Sequence, residues 1–446
     1  MTTSIYKSPE GETRILELYD RFQAELGLAF ENRMVDTRFG VTHVLVTGPE
    51  QGAPLVITHG GNSINPQGLR GLLPLLKQQR YRVYAPDTIG HPGKSAQVRL
   101  SARDRSYGQW LSDVLDGLGL DRAAFVGGSF GAGIILRLAA YAPQRIARMA
   151  LFVPAGIVPV PMTSMLFRIG LPYLSYLLFP GRRRLRRAVG WMGNEVEDEF
   201  LELIETIFQH VRLEAEMPRP ATQAELADLA APVLVIAAEK DVMFPGEAVV
   251  DRAREIIPNL AGAECLAGGT HYSSPGDLTY VNRRIMEFLE MYHLVHANVA
   301  RLRAPLDDPL LADFVARVDE IDTLAQDSPG YVSQPTPPDE GAVYVEPFLL
   351  NLSIWESVEA LARFTYGGEH GLMLERRAEW FHQDAGPNYV LFWFPAGQTP
   401  TEREVAARIE HLAASGATPY AFTFDQRFTV REMLDYAEET DGHRQK

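Results

Sequence analysis

The sequence predicts an α/β chain: a mostly parallel sheet with a long helical insertion, followed by a smaller α+β unit. Three observations carry this. Short apolar runs that read as buried strands recur along the first 290 residues, separated by turn signals and helix-like stretches. One of them, Ala123–Gly127, passes through Gly127-Gly128-Ser129-Phe130-Gly131 straight into helix-like Ile134–Tyr141. Beyond Glu290–His293 the strand and helix signals start afresh, and 446 residues are more than one such sheet needs.

In chain order, the alternating run Val41–Val46 reads as an early strand, with His43 on its face. Pro54–Thr58 reads as a buried strand running into His59-Gly60-Gly61-Asn62, a small-residue loop that brings backbone N–H groups close to a bound group because no Cβ intervenes. Tyr81–Asp87 is a further strand, followed by the glycine-punctuated turn Ile89-Gly90-His91-Pro92-Gly93-Lys94-Ser95. His59 and His91 read as structural parts of these turns. At Ser129 a sharp strand-to-helix turn lifts the hydroxyl above the sheet, and the flanking glycines relieve the crowding. A phosphate-binding loop is the competing reading, but neither Gly-x-x-x-x-Gly-Lys-Ser/Thr nor Gly-x-Gly-x-x-Gly is present there. Pro232–Ala238 is another buried strand, ending at Glu239-Lys240-Asp241. Ala267-Gly268-Gly269-Thr270-His271-Tyr272 then places a histidine in a loop before the helix Asp277–Glu290.

His-Gly-Gly, then Pro-Asp-x-x-Gly-x-x-Gly-x-Ser, then Gly-x-Ser-x-Gly, in that order, resembles the α/β-hydrolase family over Leu55–Leu289, with a similar lead-in from Ile5. The resemblance implies an α/β-hydrolase domain over residues 1–290, with a mostly parallel sheet, a helical cap at about 154–231, and a triad in the order serine, acid, histidine. Ser129 is then the nucleophile, Asp241 the acid with Glu239 as the fallback, and His271 the general base. The backbone N–H groups of Gly61 and Phe130 are the expected oxyanion hole. A serine nucleophile argues against aspartate-dependent relatives of the fold. The expected reaction is hydrolysis of a carboxylic ester through an acyl-enzyme. C–C bond or lactone hydrolysis, acyl transfer, and a non-catalytic binding protein are the alternatives.

Pro154–Ala231 is too long for an ordinary connection and is rich in Met, Leu, Phe and Tyr between Pro159 and Phe179. In the family such an excursion is a lid, and its composition implies a small, largely apolar ester as substrate. Phe167–Phe179 is broken by Arg168 and Pro172 and falls short of the about 20 apolar residues that span a bilayer. The following Arg182-Arg183-Arg184-Leu185-Arg186-Arg187 reads as a solvated helix face with Glu195–Glu199 for partners; contact with an anionic membrane surface is the alternative.

A formal charge of −15 disfavours nonspecific nucleic-acid binding. One cysteine, Cys265, excludes an intramolecular disulfide. No His-x-x-x-His or Cys-x-x-Cys pair supports a metal, no cofactor is expected, and a polar Met1–Glu12 makes a cytoplasmic enzyme the default.

From His293 the expected order is a strand to Arg301, a helix over Pro309–Gln326, strands at Gly330–Ser333 and Val343–Ile354, helices at Glu356–Phe364 and Leu372–Phe381, a strand at Tyr389–Phe394, a helix at Thr401–Ala414 and a last strand at Ala421–Phe424. Helices should cover one sheet face. Asn298–Leu306, Asn351–Ser357 and Arg376–Phe381 resemble the DUF3291 family, similar to dimeric α/β-barrel proteins of ferredoxin-like α+β fold. The resemblance implies a domain over residues 293–446 that forms a homodimer. Trp355, His370, Arg376, Trp380 and Trp393 are either a ligand pocket, as in barrel relatives, or core residues and a solvated helix face.

Overall fold

Eight strands form a single sheet: β1 (Glu31–Thr37), β2 (Gly40–Thr47), β3 (Ala53–Thr58), β4 (Tyr81–Pro86), β5 (Ala123–Gly128), β6 (Ile146–Phe152), β7 (Val233–Ala238) and β8 (Leu260–Leu266). The structure, a computed structural model, describes residues 4–193, 196–289, 292–337, 343–344, 347–382, 386–396, 398–430, 432–433 and 436. The chain divides into two compact units, Met1–Leu289 and Glu290–Lys446, and the eight strands belong to the first.

The strand order is β1-β2-β4-β3-β5-β6-β7-β8. From β4 to β8 every pairing is parallel, while β1–β2 and β2–β4 are antiparallel. The burial of β5, β6 and β7 on both faces explains their unbroken apolar runs. After β3 the chain first goes outward to β4, then returns to β5 on the other side. Such a reversal opens a crevice at the carboxyl ends of β3 and β5. Helices Ser106–Leu118 and Phe130–Ala139 bury Trp110, Leu111, Ile134 and Ile135 in the main core.

Between β6 and β7 lie a π-helical stretch Ser164–Gly170 and helices Leu171–Leu178, Arg182–Val189 and Asp198–His210. The amino-terminal helix Pro9–Glu25 packs on the last of these, through Arg21–Glu202 (2.7 Å) and a close approach of Gly11 to His210.

In the second unit, β9 (Tyr292–Arg301), β10 (Tyr331–Ser333), β11 (Phe348–Trp355) and β12 (Tyr389–Pro395) form an antiparallel sheet in the order β10-β11-β9-β12, a ferredoxin-like α+β arrangement. Helix Glu402–Ser415 starts on a capping box between Thr401 and Glu404. Two expectations differ from what is found. Ala421–Phe424 is no strand; Phe422 only bridges Leu391, and Ala421 bridges Thr418. Both sheet faces are covered, not one. Val295, Ala297, Ile354 and Phe392 pack on Val405 and Leu412 of the last helix, whereas Leu294, Trp355 and Leu391 pack on Val358, Leu361 and Phe422. β9 is apolar at successive positions 294 and 295, which serves two covered faces. Of the expected strand Val343–Ile354, residues 345–346 lie outside the described residues.

Candidate active site

The residues singled out in the sequence meet at the carboxyl ends of β3, β5, β7 and β8. Ser129 occupies the turn between β5 and helix Phe130–Ala139 with φ 51° and ψ −119°, an unusual conformation for a non-glycine residue. Its backbone is fixed on both sides: its N–H donates to Phe152 O at 3.0 Å, and its carbonyl accepts from Ala155 N–H at 3.1 Å. The motif glycines are dictated by space. A Cβ on Gly127 would stand 2.6 Å from Ile135 Cδ1 and 2.7 Å from Thr58 Oγ1. One on Gly131 would stand 2.4 Å from Thr58 O and 2.7 Å from His59 O.

His271 links the serine to an acid. Its Nδ1 lies 2.7 Å from Asp241 Oδ2, and its Nε2 lies 3.0 Å from Ser129 Oγ. A carboxylate only accepts, so Nδ1 carries the proton and Nε2 is left to accept from the serine hydroxyl. Asp241 is 3% exposed, and its other oxygen, Oδ1, accepts from the N–H groups of Met243 (2.8 Å) and Phe244 (3.1 Å). Glu239 is committed elsewhere: its Oε2 accepts from Gly268 N–H at 2.6 Å. It thus braces the histidine loop rather than the imidazole.

The loop after β3 lies against Ser129 and Phe130. Gly60 faces Ser129 Cβ, and Gly61 approaches Phe130 so closely that a Cβ would sit 3.1 Å from the Phe130 Cβ. Asn62, at φ 49°, holds this loop in place: its amide donates to Glu214 O (2.9 Å) and accepts from Glu214 N–H (2.7 Å), while its N–H donates to His91 Nδ1 (3.1 Å). The N–H groups of Gly61 and Phe130 have no acceptor among the described residues.

The remaining histidines are supports. His59 Nδ1–H donates to Gly60 O at 2.9 Å and Nε2 accepts from Thr88 N–H at 3.1 Å; burial pushes its pKa down. Burial, with help from His59 and Arg99, lowers His91 well below the ordinary value, and its ring packs on Phe130 at 4.7 Å. His43 is buried between Asp87 (3.0 Å) and Asn32 (2.8 Å), with Tyr19 OH donating to Asp87 at 2.7 Å. This second Asp–His pair ties β2 to the residue that follows β4.

Comparison with known proteins agrees with this architecture. Residues 53–188 match the profile for the alpha/beta hydrolase fold. The 2-hydroxymuconate semialdehyde hydrolase of Pseudomonas putida is 32% identical over 221 residues, covering 47% of this chain and 73% of that protein. The chain belongs to the α/β-hydrolase family. Carboxylesterase YbfK of Bacillus subtilis is 26% identical over 294 residues, 64% of this α/β-hydrolase and 96% of YbfK. The crystal structure of that carboxylesterase superposes with a TM-score of 0.53 at 25% identity, covering 63% of this chain and 98% of that one. Residues 293–438 match a domain of unknown function, DUF3291. The protein is therefore an α/β-hydrolase fused to a DUF3291 domain.

Two aromatic rings flank His271, one following the acid in the sequence and one unmarked there. Trp191, from the cap, lies 5.5 Å from the His271 ring between centroids, and Phe244 lies 5.8 Å away. Tyr272 N–H donates to Met192 O at 2.6 Å, tying the cap to the histidine loop. No sequence motif marks Trp191; only its place in a glycine-flanked cap turn could have hinted at it. Nine large apolar cap residues between Met162 and Phe179 are exposed.

In the second unit, Trp355 and Trp380 are buried core residues. His370 Nδ1–H donates to Thr365 O, Arg376 pairs with Asp313 and Glu379, and Trp393 donates to Phe428 O. Among the described residues no helix is long and apolar enough to cross a membrane.

Proposed function

We propose that this α/β-hydrolase cleaves a carboxylic ester of a small, largely apolar substrate through an acyl-enzyme. The observation that carries the reading is the unbroken chain Asp241 Oδ2–His271–Ser129 Oγ, at 2.7 and 3.0 Å. Ser129 Oγ attacks the ester carbonyl carbon as His271 Nε2 takes the hydroxyl proton. Asp241 holds the Nδ1–H tautomer and stabilises the imidazolium. The N–H groups of Gly61 and Phe130 stabilise the oxyanion that forms. His271 returns the proton to the departing alcohol, then activates water to release the acid and free Ser129. The relationship to a carboxylesterase supports ester over other acyl bonds. Trp191 and Phe244 beside His271 support an apolar acyl or alcohol group.

Turnover of a panel of p-nitrophenyl esters, lactones and meta-cleavage-type diketones by the full chain tests this. Ester turnover that disappears in Ser129→Ala, by about 10⁶-fold in kcat, is expected; preference for a C–C bond or a lactone would replace the ester reading. For the DUF3291 unit, the resemblance to barrel-forming dimers supports a homodimer, and light scattering on the full chain tests it: a mass of about 50 kDa would refute it.

A further inference from the structure

We infer that the outer face of the cap is a docking surface for an anionic lipid bilayer, on which the protein lies without spanning it. Helix Leu171–Leu178 is inverted relative to an ordinary surface helix. Its tyrosines point inward: Tyr173 and Tyr176 pack on Phe208 at 4.7 and 5.8 Å, and Tyr176 OH donates to Glu205 at 3.2 Å. Its hydrocarbon points outward. Phe167, Leu171, Leu174 and Leu178 follow one another at spacings of four, three and four residues, one helical stripe, and are 61%, 48%, 49% and 64% exposed. Leu166, Leu177 and Phe179 widen it. A contiguous apolar face of this kind on water marks an interaction site.

The charge beside it says what covers it. Helix Arg182–Val189 follows at once and carries five exposed arginines in a chain of net charge −15. Arg182 and Arg186 share Asp198, at 2.7 and 2.5 Å, and Arg184 stacks on Phe179 at 5.3 Å. Arg168, Arg183 and Arg187 have no carboxylate partner among the described residues. An apolar stripe with arginines at its rim matches the two demands of an anionic interface: hydrocarbon entering the headgroup region and guanidinium groups meeting lipid phosphates. The acidic remainder of the protein is repelled by such a surface, so this face turns toward it. A second copy fits less well, because a two-fold pairing through this patch would bring both arginine clusters into one interface.

Flotation of the full chain with vesicles tests the assignment, using phosphatidylcholine alone and phosphatidylcholine with about 30% phosphatidylglycerol. The protein should float with the anionic vesicles at least about tenfold better than with the neutral ones, and about 0.5 M NaCl should release it. Leu171→Ser/Leu174→Ser/Leu178→Ser and Arg168→Gln/Arg183→Gln/Arg187→Gln should each lose about tenfold or more, with unchanged far-ultraviolet circular dichroism. The arginine variant changes only exposed side chains, so it stays informative if the leucine variant fails to fold. Absence of flotation, or flotation that the arginine variant leaves intact, overturns the proposal. So does a vesicle-free doubling of mass that the leucine variant abolishes, which would make the patch a self-association surface.

Discussion

Asp241 divides its two oxygens between two tasks. Oδ1 is held by the N–H groups of Met243 and Phe244, which fixes the carboxylate plane and leaves Oδ2 aimed at His271 Nδ1. Asp241→Asn keeps the shape but offers an amide N–H or a weaker acceptor to the imidazole. The expected loss in ester kcat is about 10⁴-fold. Glu239→Gln should retain activity within a few-fold, because its partner is the Gly268 N–H at the edge of the loop; steady-state kinetics of both variants compare the two acids. A large loss confined to Glu239→Gln would reverse the assignment. At this scale the sequence was informative wherever a residue type is forced by local sterics. Gly127 and Gly131 are readable because a Cβ at either would strike Thr58 and neighbouring backbone. Trp191 was not readable, because its contact with His271 spans the cap and leaves no local signature.

The loop after β3 is an element whose position depends on one side chain. Asn62 pairs with both backbone groups of Glu214, much as a neighbouring strand would, and so pins the loop after β3 to the chain that follows helix Asp198–His210. Asn62→Ala should release that clamp while leaving the Asp241–His271–Ser129 chain intact. A fall of about 10²-fold in kcat, with KM less affected, is the expected signature in ester kinetics. An effect on KM alone would make the clamp a substrate-binding device. The central strands were legible as continuous apolar runs because both of their faces are buried. β8 was not: Leu260-Ala-Gly-Ala-Glu-Cys-Leu is an edge strand of small residues with no clear alternation. The antiparallel β1 was likewise invisible, since only Val35 of its seven residues is buried. In the second unit Ala421–Phe424 has strand-like residues, but they serve as isolated bridges beside β12.

Across the whole molecule, both units bury histidines in neutral form. In the first, burial lowers His59 and His91; in the second, burial and the neighbouring His370 push His296 down to about 4. In the unfolded chain these groups take up a proton near pH 6.5, whereas the folded protein resists it. Stability is therefore undiminished above about pH 6.5 and falls as the pH drops toward each folded value, by about 1.4 kcal/mol per pH unit for each histidine so held. Denaturant unfolding between pH 7.5 and 5 should show this loss in both units, followed by Trp110 fluorescence in the first and Trp355 in the second, each in a variant lacking the other tryptophans. A pH-independent midpoint across that range would contradict the burial argument. The fold order was visible in the sequence at this scale, but the outward-facing apolar stripe of the cap was not, because composition cannot say which way a helix turns. The account stands most directly on the nucleophile. Intact-mass spectrometry of the full chain during turnover of a slowly deacylating ester, with peptide mapping, should find one acyl group per chain, on Ser129, and none on Ser129→Ala. An acyl group on another residue, or an adduct that persists in Ser129→Ala, would contradict it.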